Sequence, residues 1–403
     1  MLSRPTLPSL ALVATLLFVS ACSTYRSATP APAADFFVFY GTSASGPGKG
    51  ISVGRFDSKT GVLTTPTLAA QAPGPSLFTL SADGKFLYAC HEPAAEIAAY
   101  AVDTATGALK LLNTLPSGGA DPCHISLDRT GRFALVANYT GGSVAVFALK
   151  PDGSLGTRTA FDQHSGKGPH ANQDSAHAHC IITDPSNRFA LCADLGNDLI
   201  YIYSFDEKTG TLSNPRNVQP DGRRVIAAGP PYGTVAPGSG PRHLLFSKDG
   251  LVVYVTNELN ATMTAFHWVD ALDKTPFGTL AEFQTISNLP AGFADTNSNA
   301  ELQLSPDGKF IYASNRGHDA LAVFAIDPAT AKLSLVQDVA TRGKTPRFFT
   351  FDPTGQWLIA QNQNSNSVAV FRADAATGKL TPAGDLYPAP APDCMAFLPV
   401  SAK

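Results

Sequence analysis

The chain has 403 residues, of which 44% are hydrophobic and 15% charged, and its formal net charge at pH 7 is −3. That balance, with no Lys/Arg stripe carrying interleaved aromatic residues, excludes an electrostatic surface for DNA or RNA, so no nucleic-acid partner is expected. The 34 Gly and 31 Pro are typical of a turn-dense β protein.

Residues 1–22 have the pattern of a targeting segment. Arg4 gives a positive start, and residues 10–18 form an apolar stretch too short for a comfortable membrane span. The segment ends in VSAC at residues 19–22, which resembles the lipobox of bacterial lipoproteins and implies lipidation of Cys22 after cleavage before it. An ordinary secretory signal that happens to contain a cysteine is the alternative.

Residues 23–34 are rich in Ala, Pro, Ser and Thr, and this composition predicts a tether between a lipid anchor and the domain that follows over residues 35–403. The residue after Cys22 is Ser23 rather than Asp, which by the lipoprotein sorting rule favours the outer membrane. We therefore expect an envelope protein that faces the periplasm and contacts the membrane through its lipid alone.

From residue 36 onward, a turn of the type SADGKF or SPDGKF recurs, followed by a short apolar strand and an alternating strand. The turn occurs six times, at residues 81–86, 128–133, 184–189, 247–252, 305–310 and 352–357. The alternating strand occurs seven times, at residues 51–56, 97–102, 144–149, 200–205, 263–269, 321–326 and 368–371. A period of about 40 to 60 residues with several short strands each predicts an all-β, seven-bladed β-propeller.

One blade lacks the turn, which indicates that its strands come from opposite ends of the chain. Residues 393–398 are predicted to be its innermost strand and residues 36–40 the neighbouring one. Pairing the last strand with the first closes the ring and removes its open sheet edges.

Superposing the repeats identifies two columns of residues. The third residue of each turn (Thr130 in the second copy) serves as the reference position. The residue seven positions before it begins each innermost strand. The residues eight and nine positions after it end the next strand. The first column is Ser76, Cys123, His179, Arg242, Ala300 and Arg347, with Asp393 in the closing blade. The second column is His91-Glu92, Asn138-Tyr139, Asp194-Leu195, Asn257-Glu258, Asn315-Arg316 and Asn362-Gln363. Because adjacent strands are antiparallel, both columns line one mouth of the central channel.

Four of the varying positions carry complementary chemistry on three consecutive blades. Glu258 and His179 can serve as general base and general acid, and two Arg, at positions 242 and 316, suit an anionic group or a developing oxyanion. Hydrolysis of a lactone needs this set and no covalent nucleophile. The alternative is a rim of solvated polar residues, and the Asn that repeats in the second column is predicted to form turns.

Other motifs are weak. There is no nucleophile elbow, P-loop or dinucleotide fingerprint, and no cofactor is expected. His164, His170, His177 and His179 crowd into sixteen residues and raise metal binding as a rival, but no carboxylate or cysteine is locally spaced to complete a site. No metal is therefore predicted, and His164 and His170 are interpreted as polar loop residues.

Five cysteines follow Cys22, an odd number in an oxidising compartment. Cys180 and Cys192 lie symmetrically about Ser186 and could face each other across a hairpin. A disulfide there and buried, unreactive thiols both remain open.

Six stretches resemble the seven-bladed propeller lactonases, the family of bacterial 6-phosphogluconolactonase that is related to fungal 3-carboxymuconate lactonising enzyme. They are HAH at 177–179, GPRH at 240–243, VTNELN at 255–260, QLSPDG at 303–308, ASNR at 313–316 and TPR at 345–347. The resemblance spans residues 36–399, and PRH followed by NEL is its specific part.

The resemblance implies a lactonase of the carboxylic ester hydrolase class, with acid/base and binding roles on His179, Arg242, Glu258 and Arg316. Arg347, His177 and Asn315 lie in the same motifs, and we expect them to contact the substrate.

Export implies an unphosphorylated aldonolactone such as gluconolactone as the small-molecule partner, because the phosphorylated sugar is cytosolic. The 215–240 insert, with Arg223 and Arg224, is a candidate cover for the mouth. A non-enzymatic propeller that binds a peptide or glycan at this mouth is the alternative function, and the oligomeric state stays open.

Overall fold

The predicted strands form seven β-sheets arranged in a ring. The computed structural model describes residues 35–42, 44, 49–213, 232–269 and 278–400. The predicted targeting segment with Cys22, the tether at 23–34, and Arg223 and Arg224 of the insert lie outside the described residues.

In the described ranges the strands, in chain order, are β1 (Asp35–Thr42), β2 (Gly50–Asp57), β3 (Val62–Leu63), β4 (Thr67–Gln71), β5 (Pro75–Leu80), β6 (Phe86–His91), β7 (Glu96–Val102), β8 (Leu109–Pro116), β9 (Pro122–Leu127) and β10 (Phe133–Asn138). They continue as β11 (Ser143–Leu149), β12 (Leu155–Gln163), β13 (Ala178–Thr183), β14 (Phe189–Asp194), β15 (Leu199–Asp206), β16 (Thr211–Ser213), β17 (Tyr232–Thr234), β18 (Pro241–Phe246), β19 (Val252–Asn257) and β20 (Thr262–Val269). The last are β21 (Thr279–Ser287), β22 (Ser298–Leu304), β23 (Phe310–Arg316), β24 (Ala320–Ile326), β25 (Leu333–Ala340), β26 (Pro346–Phe351), β27 (Trp357–Asn362), β28 (Ser367–Ala373), β29 (Leu380–Pro388) and β30 (Pro392–Pro399).

Each sheet is one blade of antiparallel strands. Blades 1 to 6 are β5–β8, β9–β12, β13–β17, β18–β21, β22–β25 and β26–β29, and blade 7 combines β1–β4 with β30. The only helices in these ranges are two 3-10 turns, Glu92–Ala94 and Gln363–Ser365. Within the described part of the chain, no helix is long and apolar enough to cross a membrane.

The ring closes as the sequence predicts. β30 pairs antiparallel with β1, from Phe36 opposite Pro399 to Thr42 opposite Pro392. The innermost strands contact one another in the order β5, β9, β13, β18, β22, β26, β30 and back to β5. The prediction of seven blades closed by the C-terminal strand is therefore confirmed.

The hydrophobic core lies between blades. The structure has seven clusters of buried apolar side chains, and each joins two adjacent blades. In one of them, for example, Leu135 of blade 2 packs with Ile181 and Tyr201 of blade 3. No blade can bury its faces alone, so the ring is stable only as a whole.

The six turns share one hydrogen bond between a hydroxyl and a carboxylate two residues apart. Ser precedes Asp in Ser81/Asp83, Ser247/Asp249 and Ser305/Asp307, and Asp comes first in Asp128/Thr130, Asp184/Ser186 and Asp352/Thr354. In every copy the first side chain also accepts the backbone N–H five residues later. The residue types exchange places while the contact is kept, as expected for turn chemistry.

The question of a hairpin disulfide is settled by strand register. Cys192 lies opposite Ile181, and Cys180 lies opposite Ala193. This one-residue offset puts the two thiols on opposite faces of blade 3, because successive side chains in a strand alternate. Cys180 belongs to the core between blades 3 and 4, and Cys192 to the core between blades 2 and 3. Both are free and buried.

Candidate active site

A β-bulge opens each innermost strand and carries the first column of predicted residues. The antiparallel register shifts near the start of all seven strands. In six of these strands, the residue that pairs with no residue of the neighbouring strand belongs to the first column. These residues are Ser76, Cys123, His179, Arg242, Arg347 and Asp393. A bulge redirects its side chain away from the regular pleat, which here brings these residues to the mouth of the channel.

Three residues of the predicted set form one ion-pair cluster. Nε of Arg242 lies 2.9 Å from Oε2 of Glu258, close enough for an ion pair but not aligned for a hydrogen bond. Nη2 of Arg316 lies 2.9 Å from Oε1 of the same carboxylate. Arg242 is in blade 4 and Arg316 in blade 5, so Glu258 joins two blades. These three residues occupy positions that vary from repeat to repeat, and the structure brings them together.

Backbone carbonyls at the start of β22 accept hydrogen bonds from both guanidinium groups. The carbonyl of Ala300 accepts a hydrogen bond from Nη1 of Arg242 at 2.8 Å, and the carbonyl of Asn299 accepts one from Nη2 of Arg316 at 2.8 Å. The backbone N–H of Asn299 donates to the carbonyl of Glu258 at 3.1 Å. These backbone contacts preorganise the cluster, since they need no side-chain rearrangement.

Glu258 is ionised at neutral pH. Burial alone would raise its pKa, but Arg316, Arg242 and Arg347 together outweigh burial and hold the pKa below its usual value. Burial and the neighbouring Arg316 lower the pKa of Arg242 to about 10, which still leaves this guanidinium charged at neutral pH. A carboxylate is the form required of a general base.

His179 lies beside the cluster and is neutral. Its ring is 5.3 Å from that of His243 and 5.5 Å from that of Tyr139, edge to face in both cases. Burial, then the charge of Arg242, lowers the pKa of His179 well below its usual value. Nδ1 is buried and makes no hydrogen bond to another described residue. The imidazole is therefore uncharged, with one N–H donor and one acceptor nitrogen, and it lacks the extra proton that a general acid would carry.

Arg347 reaches the same mouth from blade 6. Its Nε lies 3.9 Å from Oδ1 of Asp393, a looser pair than those of Glu258, and about a fifth of its side chain is exposed. A guanidinium this loosely paired can bind an anionic or carbonyl oxygen.

His177 and Asn315 lie further from the cluster. The His177 ring stacks on Tyr139 at 4.5 Å, with Nδ1 3.1 Å from the Tyr139 carbonyl and Nε2 3.1 Å from Oδ1 of Asp174. Asn315 is fully buried, donates to the carbonyl of Asn288 and accepts from the side chain of Asn297. These contacts favour roles in holding loops in place, and substrate contact at both residues stays a prediction.

His164 lies in the loop after β12, as interpreted from the sequence, but it is buried and not solvated. Its side chain is fully buried, with Nδ1 2.6 Å from Oδ2 of Asp194 and Nε2 2.6 Å from the hydroxyl of Tyr203. The ring also stacks on Tyr201 at 3.7 Å. Sequence spacing could not reveal this pair, because Asp194 belongs to the next blade. Among the described residues, no three His, Cys, Asp or Glu side chains are grouped so as to hold a metal ion.

A cleft opens from the cluster toward solvent. Its volume is about 540 Å³, and Glu258 forms part of its wall. The other lining residues are mostly small, amide or hydroxyl side chains: His170, Asn172, Leu259, Asn260, Ala261, Leu289, Asp295, Thr296, Asn297 and Ser298. A cavity of about 640 Å³ between blades 5 and 6 opens among the turns at the other end of the ring, away from this chemistry.

Comparison with known proteins identifies the family. The family model described as "Lactonase, 7-bladed beta-propeller" matches residues 37–397. The chain belongs to this lactonase family.

Its relatives include a 6-phosphogluconolactonase of Bacillus subtilis, 33% identical over 78% of this chain and 84% of that protein. A 6-phosphogluconolactonase of Formosa agariphila is 35% identical over 76% of this chain and 83% of that protein. Among solved structures, the periplasmic gluconolactonase of Pseudomonas aeruginosa is 31% identical, with a TM-score of 0.81 over 91% of this chain and all of that chain. The prediction of an enzyme of the carboxylic ester hydrolase class, of the 6-phosphogluconolactonase type, is confirmed.

Sequence reasoning missed two residues that adjoin this cluster. His243 follows Arg242 directly and contacts it, and Glu301 in turn contacts His243. Both lie one position after the first column, and these next positions form a column of their own. It reads Leu77, His124, Cys180, His243, Glu301, Phe348 and Cys394 and varies as strongly as the first.

Proposed function

We propose that this lactonase opens the ring of an unphosphorylated sugar lactone at the channel mouth, with water as the nucleophile. The observation that carries the proposal is the Glu258 carboxylate held between Arg242 and Arg316 at the wall of a polar cleft. A fixed carboxylate beside cationic donors is the arrangement that ester hydrolysis by activated water requires.

In the proposed reaction, Glu258 removes a proton from water as the oxygen of that water attacks the lactone carbonyl. The guanidinium groups of Arg316 and Arg347 stabilise the tetrahedral oxyanion. The bond from the carbonyl carbon to the ring oxygen then breaks, and the proton taken by Glu258 ends on the hydroxyl formed there. His179 is uncharged at neutral pH because its pKa is lowered, so it assists by donating its one N–H as a hydrogen bond to that ring oxygen, without transferring the proton.

The cleft supports an unphosphorylated substrate. Phosphate groups are bound by clustered Arg and Lys, and among the residues that the structure describes, none that lines the cleft is an Arg or Lys. Asn172, Asn260 and Asn297 supply amides that match the donors and acceptors of sugar hydroxyls, while Asp295 would repel a phosphate. The relatives include both phosphogluconolactonases and a periplasmic gluconolactonase, so the family by itself leaves the choice open.

The test is hydrolysis by the full-length chain of δ-gluconolactone and of its 6-phosphate, with spontaneous hydrolysis subtracted. We expect kcat/KM for the unphosphorylated lactone to be at least about tenfold higher, because one missing or repelled charge contact costs about 1.4 kcal/mol or more. A preference for the phosphate would contradict the substrate. Binding of the lactone without hydrolysis would favour the non-enzymatic alternative.

We also propose that the enzyme is exported and anchored by a lipid on Cys22, in the outer membrane facing the periplasm. The VSAC sequence before the tether and the likeness to a periplasmic gluconolactonase support this. Replacing Cys22 by Ala should release the protein from membranes without loss of folding, since only the tether joins lipid and domain. A variant that still sediments with membranes after a high-salt wash would contradict the anchor.

A further inference from the structure

A second chain of contacts reaches Arg242 from inside the channel. Nε2 of His243 lies 3.2 Å from Nη1 of Arg242, and Nδ1 of the same ring lies 3.3 Å from Oε2 of Glu301. The side chains of His243 and Glu301 are only about a tenth exposed. Glu301 is itself held, because its Oε1 accepts the backbone N–H of Leu302 at 3.0 Å. Neither residue belongs to the cleft wall or to the set predicted from sequence.

The partners determine which nitrogen of His243 carries the proton. A guanidinium has donors only, so Nε2 of His243 must accept from Arg242. Burial lowers the pKa of His243, the Glu301 carboxylate raises it in part, and the net value stays below normal, so the ring is neutral. The single ring proton is then on Nδ1, which faces the Glu301 carboxylate at 3.3 Å. This is the arrangement in which a carboxylate sets the tautomer of a histidine that serves a reactive group.

We propose that Glu301 and His243 are positioning residues that orient Arg242 by fixing the tautomer of His243. Nη1 of Arg242 donates one N–H to Nε2 of His243 and the other to the carbonyl of Ala300. With Nη1 fixed in this way, Nε of the same guanidinium lies beside Glu258. The proposal rests on the proposed function, since it assigns the two residues to the lactonase reaction through Arg242.

Glu301→Gln tests the tautomer directly. Leu302 N–H requires an oxygen at the Oε1 position, so the amide NH₂ of the substituted residue must face His243. An NH₂ facing Nδ1 favours the Nε2–H tautomer, which places a donor against the donor of Arg242. Arg242 then loses its acceptor, and we expect kcat/KM to fall roughly 10- to 100-fold, the usual range for a hydrogen bond to a charged group.

A double-mutant cycle separates positioning from simple loss of structure. His243→Leu removes the acceptor whatever residue is at position 301, so Glu301→Gln should lower kcat/KM in the parent and have almost no further effect in the His243→Leu background. Asp128→Asn is the control, because this buried carboxylate serves a turn at the other end of the ring. It should lower the melting temperature and leave kcat/KM unchanged. Equal losses from Glu301→Gln in both backgrounds, or none in the parent, would overturn the proposal.

Nitrogen NMR of the full-length chain labelled at histidine gives a readout that does not depend on activity. We expect the parent His243 to be the neutral Nδ1–H tautomer, assigned by its disappearance in His243→Leu. An Nε2–H tautomer or an imidazolium in the parent would refute the positioning role. If the chain hydrolyses no lactone, the proposed function fails, and this measurement alone still decides the tautomer.

Discussion

The two ends of the ring are built from the same repeat and follow opposite rules. At the turn end, six copies keep one hydroxyl-to-carboxylate bond even where Ser or Thr and Asp exchange positions. At the mouth end, the bulged residue opening each innermost strand is different in almost every blade. Arg242, Glu258 and Arg316 there form a single cluster that no other part of the ring repeats among the described residues.

The difference shows where the chain has freedom to build a site. Each turn must close its own hairpin, so the same contact is required six times. A bulged residue has no partner in the sheet, so its side chain can change without breaking a ladder hydrogen bond. Stability is therefore distributed around the ring, and the proposed chemistry is concentrated on blades 3 to 6.

The largest expected effect comes from deleting residues 390–403, which removes β30. This strand pairs with β1 and contacts β26 and β5, and it buries Cys394, Met395 and Leu398. Both ends of the ring should unfold together, because two blade interfaces and the closing ladder are lost at once. Circular dichroism against a variant that lacks only residues 401–403 measures this. Cooperative melting within a few degrees of the control would show that closure is dispensable.

At the mouth end, Glu258→Gln should lower kcat by roughly 100-fold or more, the usual scale for a positioned base, and His179→Asn should lower it by about tenfold or less, the scale of one neutral hydrogen bond. Both changes keep size and polarity, and the amide oxygen of the first can still accept from one guanidinium. Asp249→Asn at the turn end is the matched control and should retain the parental kcat. If the folded mouth variants keep the parental kcat, these residues are solvated polar residues of the channel rim and not catalytic residues.

The buried histidines of the mouth end should make the free energy of unfolding depend on pH. Burial lowers the pKa of His124 and His179 well below the ordinary value of 6.5, that of His243 below it, and that of His91 to about 4. All four lie on mouth-end segments. Between the folded and unfolded pKa values the unfolded chain binds more protons, so the free energy of unfolding falls as pH decreases below 6.5.

Each such histidine contributes a slope of up to about 1.4 kcal/mol per pH unit in that window. Glu258 acts in a different window: its pKa is lowered from 4.5, so its contribution is present above 4.5 and is lost only as pH falls through the folded value. Denaturant titrations at pH 7.5, 6.5 and 5.5 test this, and His179→Asn should reduce the slope by about one proton. A flat stability profile over that range would show that these rings are not held neutral.

The smallest effect is expected at a turn. Replacing Ser305 by Asp, or Asp307 by Ser, should each lower the free energy of unfolding by about 1 kcal/mol, because the hydroxyl-to-carboxylate bond is lost. Making both changes recreates the order found at Asp128 and Thr130 and should restore stability to within about 0.5 kcal/mol. Lactonase activity should be unchanged throughout. Additive losses in the double variant would mean that the two orders are not equivalent.

The sequence by itself determined the architecture and the composition of the mouth. Seven copies of a strand predict seven blades, and the absence of a seventh turn predicts that one blade is closed by strands from opposite ends of the chain. The spacing within each repeat also predicts which strands pair within a blade. It also placed His179, Arg242, Glu258 and Arg316 at one end, since antiparallel strands alternate direction.

Contacts between blades were decided only by the tertiary structure. The Cys180 and Cys192 thiols face opposite cores because of a one-residue register offset, and His164 pairs with an aspartate of the neighbouring blade. The link from Glu301 through His243 to Arg242 likewise crosses from blade 5 to blade 4. Such contacts depend on the direction in which a bulge turns a side chain and on how closely two twisted sheets approach, and neither quantity is written in the spacing of residues along one strand.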